Sequence, residues 1–198
     1  MTVGRSPNYP RIALEEGIEK IKIVYDKQHT YPTDKEVLAK NLGYGGINGG
    51  SQSMVAALLS YGLLTKVDNS LKVSDEAINI IELPDDSPER FETIQQLAST
   101  PLIFSNLEEA YPDKLPQNEL IRHFLIKKGF LPKAADEVIR IYRANLEFVN
   151  TLKAKYNTGM DSKPLQSNEP TSQQPVYVLP QKFYGGGQTA AAFAHPAP

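Results

Sequence analysis

The chain has 198 residues, no cysteine and a net charge of −2, with 21 lysines and arginines against 23 aspartates and glutamates. The lack of cysteine excludes disulfides and thiolate metal sites, and no apolar run approaches the roughly 20 residues that span a bilayer. The N-terminus lacks the apolar segment of a signal peptide, so we expect a soluble, cytoplasmic protein. Residues 1–82 hold 9 basic against 10 acidic side chains and residues 83–157 hold 10 against 11, so any basic patch must be local.

The first predicted helix begins at Pro10, whose missing N–H is tolerated in a first turn, and runs to about Lys27. Its apolar residues recur at intervals of three and four, which indicates one buried face. They are Leu14, Ile18, Ile21 and Tyr25.

A second, short helix is indicated by Thr33 and Glu36, which have the spacing of a capping box, and it ends at Gly43. The glycine-rich loop 43–50 follows, and Ser51 is predicted to cap a third helix that ends near Tyr61. Because a helix precedes this loop, we expect a turn with positive φ angles rather than a nucleotide site. Close approach of the loop to a phosphate backbone, through the free N–H groups of the third helix, stays open.

A β-hairpin is predicted next, because apolar and polar residues alternate in segments 63–67 and 71–73 around a turn-forming trio. Ser74 then caps a fourth helix. The order of three helices, a hairpin and a helix is typical of a helix-turn-helix followed by a wing. The sequence thus predicts a winged helix-turn-helix domain in residues 1–83.

The rest of the chain divides into a helical part and a polar tail. Proline-containing junctions separate four further predicted helices, the last from about 132 to 156, and these make an all-helical domain in residues 84–157. Residues 158–198 are rich in Pro, Ser, Gln and Gly and predict a disordered tail. An apolar island at 176–184 interrupts this tail. The predicted fold class is mainly α with a small β-hairpin.

Several short motifs occur together over residues 6–150, at the ends of the predicted elements. They are Ser6-Pro7-Asn8-Tyr9-Pro10, Leu42-Gly43-Tyr44, Tyr61-Gly62-Leu63-Leu64, Lys128-Gly129-Phe130 and Lys133-Ala134-Ala135-Asp136. In these motifs the chain resembles a bacterial winged-helix-like family of unknown function. The resemblance implies the fold and no activity. Similarity to winged-helix regulators in general implies DNA binding, by analogy at the level of the fold.

In such a domain the third helix would enter the major groove, with the residues of its first turn near base edges. The predicted base contacts are Asn48, Ser51, Gln52 and Ser53. The predicted phosphate contacts are Lys66 and Lys72 on the wing and Arg5 and Arg11 in an N-terminal arm. The stretch from Tyr44 to Tyr61 contains no charged residue, which favours equally a helix partly covered by another part of the protein or by a partner.

The densest basic group lies in the last two predicted helices, and we expect either a solvated face or an accessory surface for nucleic acid or an acidic partner. It comprises Arg122, Lys127, Lys128, Lys133, Arg140 and Arg143. The histidines, His29, His123 and His195, have no partner at helical spacing that would suggest a metal site. No constellation of catalytic residues is present, so we predict a protein without enzymatic activity, metal or cofactor.

Two functions follow from these patterns. The leading hypothesis is a regulatory or architectural protein that binds double-stranded DNA, as a dimer formed through the last helix. The alternative is an adaptor that binds partner proteins through the winged helix and through strand addition by segment 176–184. The helix-turn-helix order and the wing lysines favour the first, whereas the balanced charge and the charge-free third helix favour the second.

Overall fold

The computed structural model describes the backbone of residues 4–161 and the side chains of residues 4–157. This part is mainly helical with one two-stranded antiparallel hairpin, as predicted. The elements are α1 (Leu14–Gln28), α2 (Lys35–Asn41), α3 (Gly49–Tyr61), β1 (Leu64–Val67), β2 (Ser70–Val73), α4 (Asp75–Glu82), α5 (Pro88–Ser99), α6 (Leu102–Ala110), α7 (Asn118–Lys127) and α8 (Pro132–Asp161). Within residues 4–161, none of the helices combines the length and the apolar composition of a membrane span.

The predicted tail overlaps the end of α8, because the helical backbone continues to Asp161. The rest of that tail, including the apolar segment 176–184, lies outside the described residues. The partner role predicted for that segment therefore stays a prediction from sequence alone.

α1 begins four residues later than predicted, at Leu14 rather than Pro10. The segment before it is not helical and contacts α8 instead, where the Tyr9 hydroxyl donates to Glu137 at 2.6 Å. Pro10 is buried between these elements. Pro10 therefore lies in the segment before α1 and not in the first turn of the helix.

The N-terminus of α2 differs from the predicted capping box. Asp34 caps the helix by accepting a hydrogen bond from the Val37 N–H at 2.8 Å. Thr33 is committed to strand pairing, because its N–H and C=O both bond to Leu71, at 2.9 and 2.8 Å. The capping-box spacing predicted a start one residue too early. It could not account for the pairing of Thr33, because the partner Leu71 is 38 residues away.

The hairpin has a two-residue turn, Asp68-Asn69, with Asp68 at a positive φ of 52°. β1 pairs with one edge of β2. Thr33 forms an isolated bridge with Leu71 on the other edge of β2. Leu71 and Val73 point into the core. Residues from the α1–α2 connection, β2 and β1 thus lie side by side in that order.

One hydrophobic core contains residues from both halves of the described chain. The buried Tyr61 at the end of α3 lies 6.3 Å from the ring of Phe104 in α6, and Phe104 lies 5.2 Å from the ring of Tyr142 in α8. α5 packs against α4 and α8. The helical segment 84–157 therefore covers the apolar side of the N-terminal elements.

A buried asparagine in the middle of α8 joins three elements. Asn145 is 1% exposed, and its Oδ1 accepts a hydrogen bond from the Leu14 N–H at 2.8 Å. Its Nδ2 donates to the Tyr61 hydroxyl at 3.0 Å, and that hydroxyl donates to the Ile12 carbonyl at 2.9 Å. Since the first N–H groups of a helix have no partner within the helix, Asn145 supplies the cap that Ala13 cannot give to α1.

A second buried amide lies at the other end of α1. The Gln28 Oε1 accepts from the Thr33 hydroxyl at 3.0 Å and from the Asn41 Nδ2 at 2.9 Å. Its Nε2 donates to the Tyr31 carbonyl. Gln28 thereby fixes the connection to α2 and the strand-like position of Thr33.

Candidate nucleic-acid interface

The N-terminus of α3 is built by a reciprocal cap. The Asn48 Oδ1 accepts from the Ser51 N–H at 3.0 Å, and the Ser51 hydroxyl accepts from the Asn48 N–H at 2.9 Å. This exchange satisfies two backbone donors at the start of the helix. α3 therefore begins at Gly49, and the prediction that Ser51 caps it was wrong. The two glycines of the first turn are poor helix formers, so the sequence pattern does not indicate a helix there.

The cap engages two residues of the predicted set of base contacts. Ser51 is 1% exposed, and its hydroxyl also lies 3.1 Å from the Gly46 carbonyl oxygen, so its side chain is enclosed by the loop. Asn48 is exposed, but its Oδ1 is held by the cap and its Nδ2 donates to Gly46. The Ser51 side chain is therefore not available to an outside partner, whereas the Asn48 amide is exposed but takes part in the cap.

The outer face of α3 carries the remaining two candidates, Gln52 and Ser53. Gln52 is exposed in the first turn, and no residue in the described part of the chain bonds to its side-chain amide. Ser53 is half-buried beside it. The face continues with the exposed Ala56 and the half-buried Ser60, so it is uncharged and, apart from Gln52, formed by small residues.

The loop before α3 follows the expected helix-to-helix turn. Gly43 has a φ of 90°, which a residue with a side chain adopts only at a cost, and it ends α2. Ile47 in this loop is 53% exposed. An exposed apolar side chain therefore stands one residue before the cap Asn48, at the start of α3.

The two hairpin lysines point in opposite directions. Lys66 pairs across the strands with Leu71, and Lys72 pairs with Thr65. Since directly paired residues share a face and successive residues alternate, Lys66 and Lys72 lie on opposite faces of the hairpin. The two predicted phosphate contacts of the wing therefore extend from different faces of the hairpin.

Their surroundings differ as well. The Lys72 side chain is 31% exposed and its Nζ lies 3.8 Å from Asp75 Oδ1. Lys66 is exposed and has no ion pair in residues 4–157. The turn between the strands carries Asp68, so Lys66 is the one cation that the hairpin offers without an acidic partner among the described residues.

The predicted N-terminal arm lies against the start of α8. The Ser6 hydroxyl accepts from the Leu131 N–H at 3.0 Å, and the Tyr9 ring lies 5.8 Å from the ring of Phe130. The Arg11 guanidinium stands 5.7 Å from the centre of the Tyr9 ring. Arg5, one residue before Ser6, is exposed. Burial and the hydrogen bond to the Glu137 carboxylate raise the pKa of Tyr9 to about 12.

The basic group of α7 and α8 includes paired and unpaired members. Arg122 forms an ion pair with Asp136 at 2.8 Å, and Arg143 donates to Asn118 at 2.7 Å and to the Pro116 carbonyl at 3.0 Å. The Lys128 Nζ lies 5.5 Å from the centre of the Phe124 ring. The exposed members without an ion pair to any described residue are Lys127, Lys128, Lys133 and Arg140.

These contacts bring together two groups that are distant in sequence. Arg5 and Arg11 stand beside the first turns of α8, where Lys133 lies, and α7 ends next to the same turns with Lys127 and Lys128. We call this surface the arm–α7–α8 face. No set of three His, Asp or Glu residues within the described part of the chain is grouped to hold a metal ion.

Asn145 is the residue of structural importance that the sequence patterns missed. It lies on the apolar stripe of the last helix, between Tyr142 and Val149, where a polar residue is unusual. That position is a usable signal, because a buried amide needs hydrogen-bond partners from other elements.

Comparison with models of known families, with curated proteins and with solved structures gives no match to this chain. The resemblance to a winged-helix-like family therefore stays an expectation based on the motifs given above.

Proposed function

We propose that this protein is a non-enzymatic DNA-binding protein of the winged-helix type, with a regulatory or architectural role. The observation that carries the proposal is the bridge between Thr33 and Leu71. In a winged helix, a short strand between the first and second helices pairs with the second strand of the hairpin. The bridge supplies that pairing, between α1 and α2, in addition to the helix-turn-helix order of α2 and α3.

The exposed chemistry of α3 supports contact with base edges. Gln52 stands in the first turn, which a helix-turn-helix presents to the major groove, and its free amide matches the paired donor and acceptor of adenine. Gly49, Gly50 and Ala56 carry little or no side chain, so the helix backbone can approach the groove closely. Lys66 supplies one phosphate contact from the hairpin.

The test compares duplex binding by wild type and by Gln52→Ala in a randomised duplex pool at fixed salt. A bidentate contact of glutamine with adenine contributes roughly 1–3 kcal/mol of discrimination, and its loss leaves the sequence-independent phosphate term intact. We expect an altered preference at one or two positions and a nearly unchanged mean affinity. Gln95→Ala is the matched control, because Gln95 is exposed on α5. If both variants keep the wild-type preference, Gln52 does not contact bases.

Binding of a partner protein by α3 is the second candidate function. It is favoured by the absence of charge on the outer face of α3 and by the exposed Ile47 next to it. Regulators usually place Lys or Arg near the recognition helix to meet phosphate. A wild-type protein that binds no duplex even at low salt would rule out the DNA proposal and favour this one.

Dimer formation would use only the later part of α8. Four residues on the apolar side of α8 are buried in the core of the same chain: Ala135, Val138, Ile139 and Tyr142. Leu146 is half-buried and borders an open groove of about 650 Å³ with Leu115. A second copy would therefore have to contact the later turns of α8.

A further inference from the structure

We propose that the arm–α7–α8 face is a second binding surface for nucleic acid, which contacts the phosphate backbone without reading sequence. The inference rests on the proposed DNA-binding function and extends it to a part of the chain outside the winged-helix segment. It starts from a shortage of charge on α3 and the hairpin. A duplex-binding protein commonly neutralises several phosphates, and that region offers Lys66 alone as an exposed lysine without a described ion pair.

The balance of charge on the arm–α7–α8 face is strongly positive. Residues 4–13 and 118–143 together contain eight lysines and arginines against three acidic residues, a net charge of +5 in a chain of net −2. The remaining residues therefore carry −7. The acidic residues are Glu119, Asp136 and Glu137. Two of these are already bonded, Asp136 to Arg122 and Glu137 to Tyr9.

The free cations have a geometry that fits a repeating anion. Lys133 and Arg140 are seven residues apart on α8, which places them on one side of the helix about 10 Å apart along its axis. Lys127 and Lys128 lie at the end of α7, and the α7–α8 turn joins them to Lys133. The Ser6 and Tyr9 contacts add Arg5 and Arg11 beside the first turns of α8.

The arrangement favours a flexible point-charge contact over a specific pocket. Arg122 and Arg143 are held by protein partners and position α7 against α8, whereas the side chains of Lys127, Lys133 and Arg140 extend into solvent. Such groups meet phosphates of any sequence and contribute mainly the salt-dependent part of the affinity.

The experiment measures the salt dependence of binding to a 25-base-pair duplex of arbitrary sequence. The face variant is Lys127→Gln, Lys133→Gln and Arg140→Gln together, and the control variant is Lys22→Gln, Lys114→Gln and Lys153→Gln. All six residues are exposed and free of ion pairs within the described chain, and the two variants change net charge equally. Circular dichroism checks that both remain folded.

We expect the face variant to bind roughly 10- to 100-fold more weakly at 0.1 M salt, and the slope of log K against log salt to fall in magnitude by about 2–3, while the control keeps the wild-type slope. Adding Arg5→Gln and Arg11→Gln to the face variant is expected to lower the magnitude of the slope by roughly a further 1–2. Equal slopes for the face and control variants would overturn the inference and leave the proposed function intact.

Two other outcomes separate the alternatives. If wild type binds no duplex at 20 mM salt, the proposed function fails and the inference fails with it. If poly-L-glutamate binds wild type more tightly than the duplex does, and the face variant loses that binding, the surface serves an acidic protein and the inference is overturned.

Discussion

Replacing Asn145 with alanine tests whether the buried amide holds α1, α3 and α8 together. The Leu14 N–H would lose its acceptor at 2.8 Å in a fully buried site. An unsatisfied buried donor costs about 1–3 kcal/mol. The Tyr61 hydroxyl would lose the bond from Asn145 but keep its bond to the Ile12 carbonyl. The lost bond adds about 1 kcal/mol to the cost of the substitution.

Two smaller effects act on the same substitution. The space left by the amide adds a cavity cost, and the better helix propensity of alanine offsets it by about 0.5 kcal/mol. The free energy of unfolding should therefore fall by about 3 kcal/mol. At roughly 2–4 °C per kcal/mol for a chain of this size, the Tm should fall by roughly 6–12 °C.

Calorimetry or thermal circular dichroism measures the effect, with Asn150→Ala as the matched control. Asn150 is exposed on the same helix, so its replacement should change stability by no more than about 0.5 kcal/mol. A double-mutant cycle of Asn145→Ala with Tyr61→Phe should give a coupling energy of at least about 0.5 kcal/mol, because the two side chains bond directly. A Tm of Asn145→Ala within about 2 °C of wild type would refute the role of the amide as the cap of α1.

Three further predictions concern the hairpin, the arm and α8. Lys66→Ala should lower the salt slope of duplex binding by about 1. Lys72→Ala should leave it nearly unchanged, because Lys72 lies on the opposite face beside Asp75. Equal effects of the two substitutions would show that both faces of the hairpin contact phosphate. The folded-state pKa of Tyr9 is raised from 10.0 to about 12. The stabilising contribution of Tyr9 is therefore present below pH 10 and is lost as pH rises through 12. Tyr9→Phe should show a shallower fall in Tm between pH 10 and 12 than wild type. Leu146→Asp should lower the Tm because it places a carboxylate on the half-buried side of α8. Sedimentation will show whether the substitution also converts a dimer into monomers. An unchanged Tm and mass would mean that Leu146 packs against nothing.

The sequence patterns were most informative where the determinants are local. Ser74 caps α4 as predicted, and Ser87 caps α5 in the same way, before a proline-led first turn. Gly62, at a φ of 80°, ends α3. In each case a few adjacent residues decide the backbone, so a single sequence contains the needed information.

The errors arose where a distant partner decides the conformation. Thr33 fits a capping box, but its backbone bonds to Leu71 instead. Pro10 fits a first turn, but Tyr9 and Ser6 hold that segment against α8. The start of α3 was placed late, because glycines in a first turn are poor helix formers and Asn48 caps from outside the predicted helix.

The candidate interface was predicted in part for the same reason. Residue types and helix order placed Gln52 and Lys66 on the surface, as the structure has them. The alternation of strand residues was enough to separate Lys66 from Lys72 once the register was known. The approach of the N-terminal arm to the last two helices depends on contacts over more than 120 residues, and no local pattern encodes it.

The two buried amides explain why the proposed surfaces have a fixed relation. Asn145 secures the start of α1 to α8 and to the end of α3, and Gln28 secures the end of α1 to α2 and to the Thr33 bridge. Replacing either by an apolar residue would leave polar groups of other elements unpaired, so each amide favours one relative arrangement of the helices. α3 is therefore held in a defined orientation to α8, which carries Lys133 and Arg140. A duplex that reaches both surfaces must match that orientation, because the helices between them are joined by buried hydrogen bonds rather than by a flexible linker.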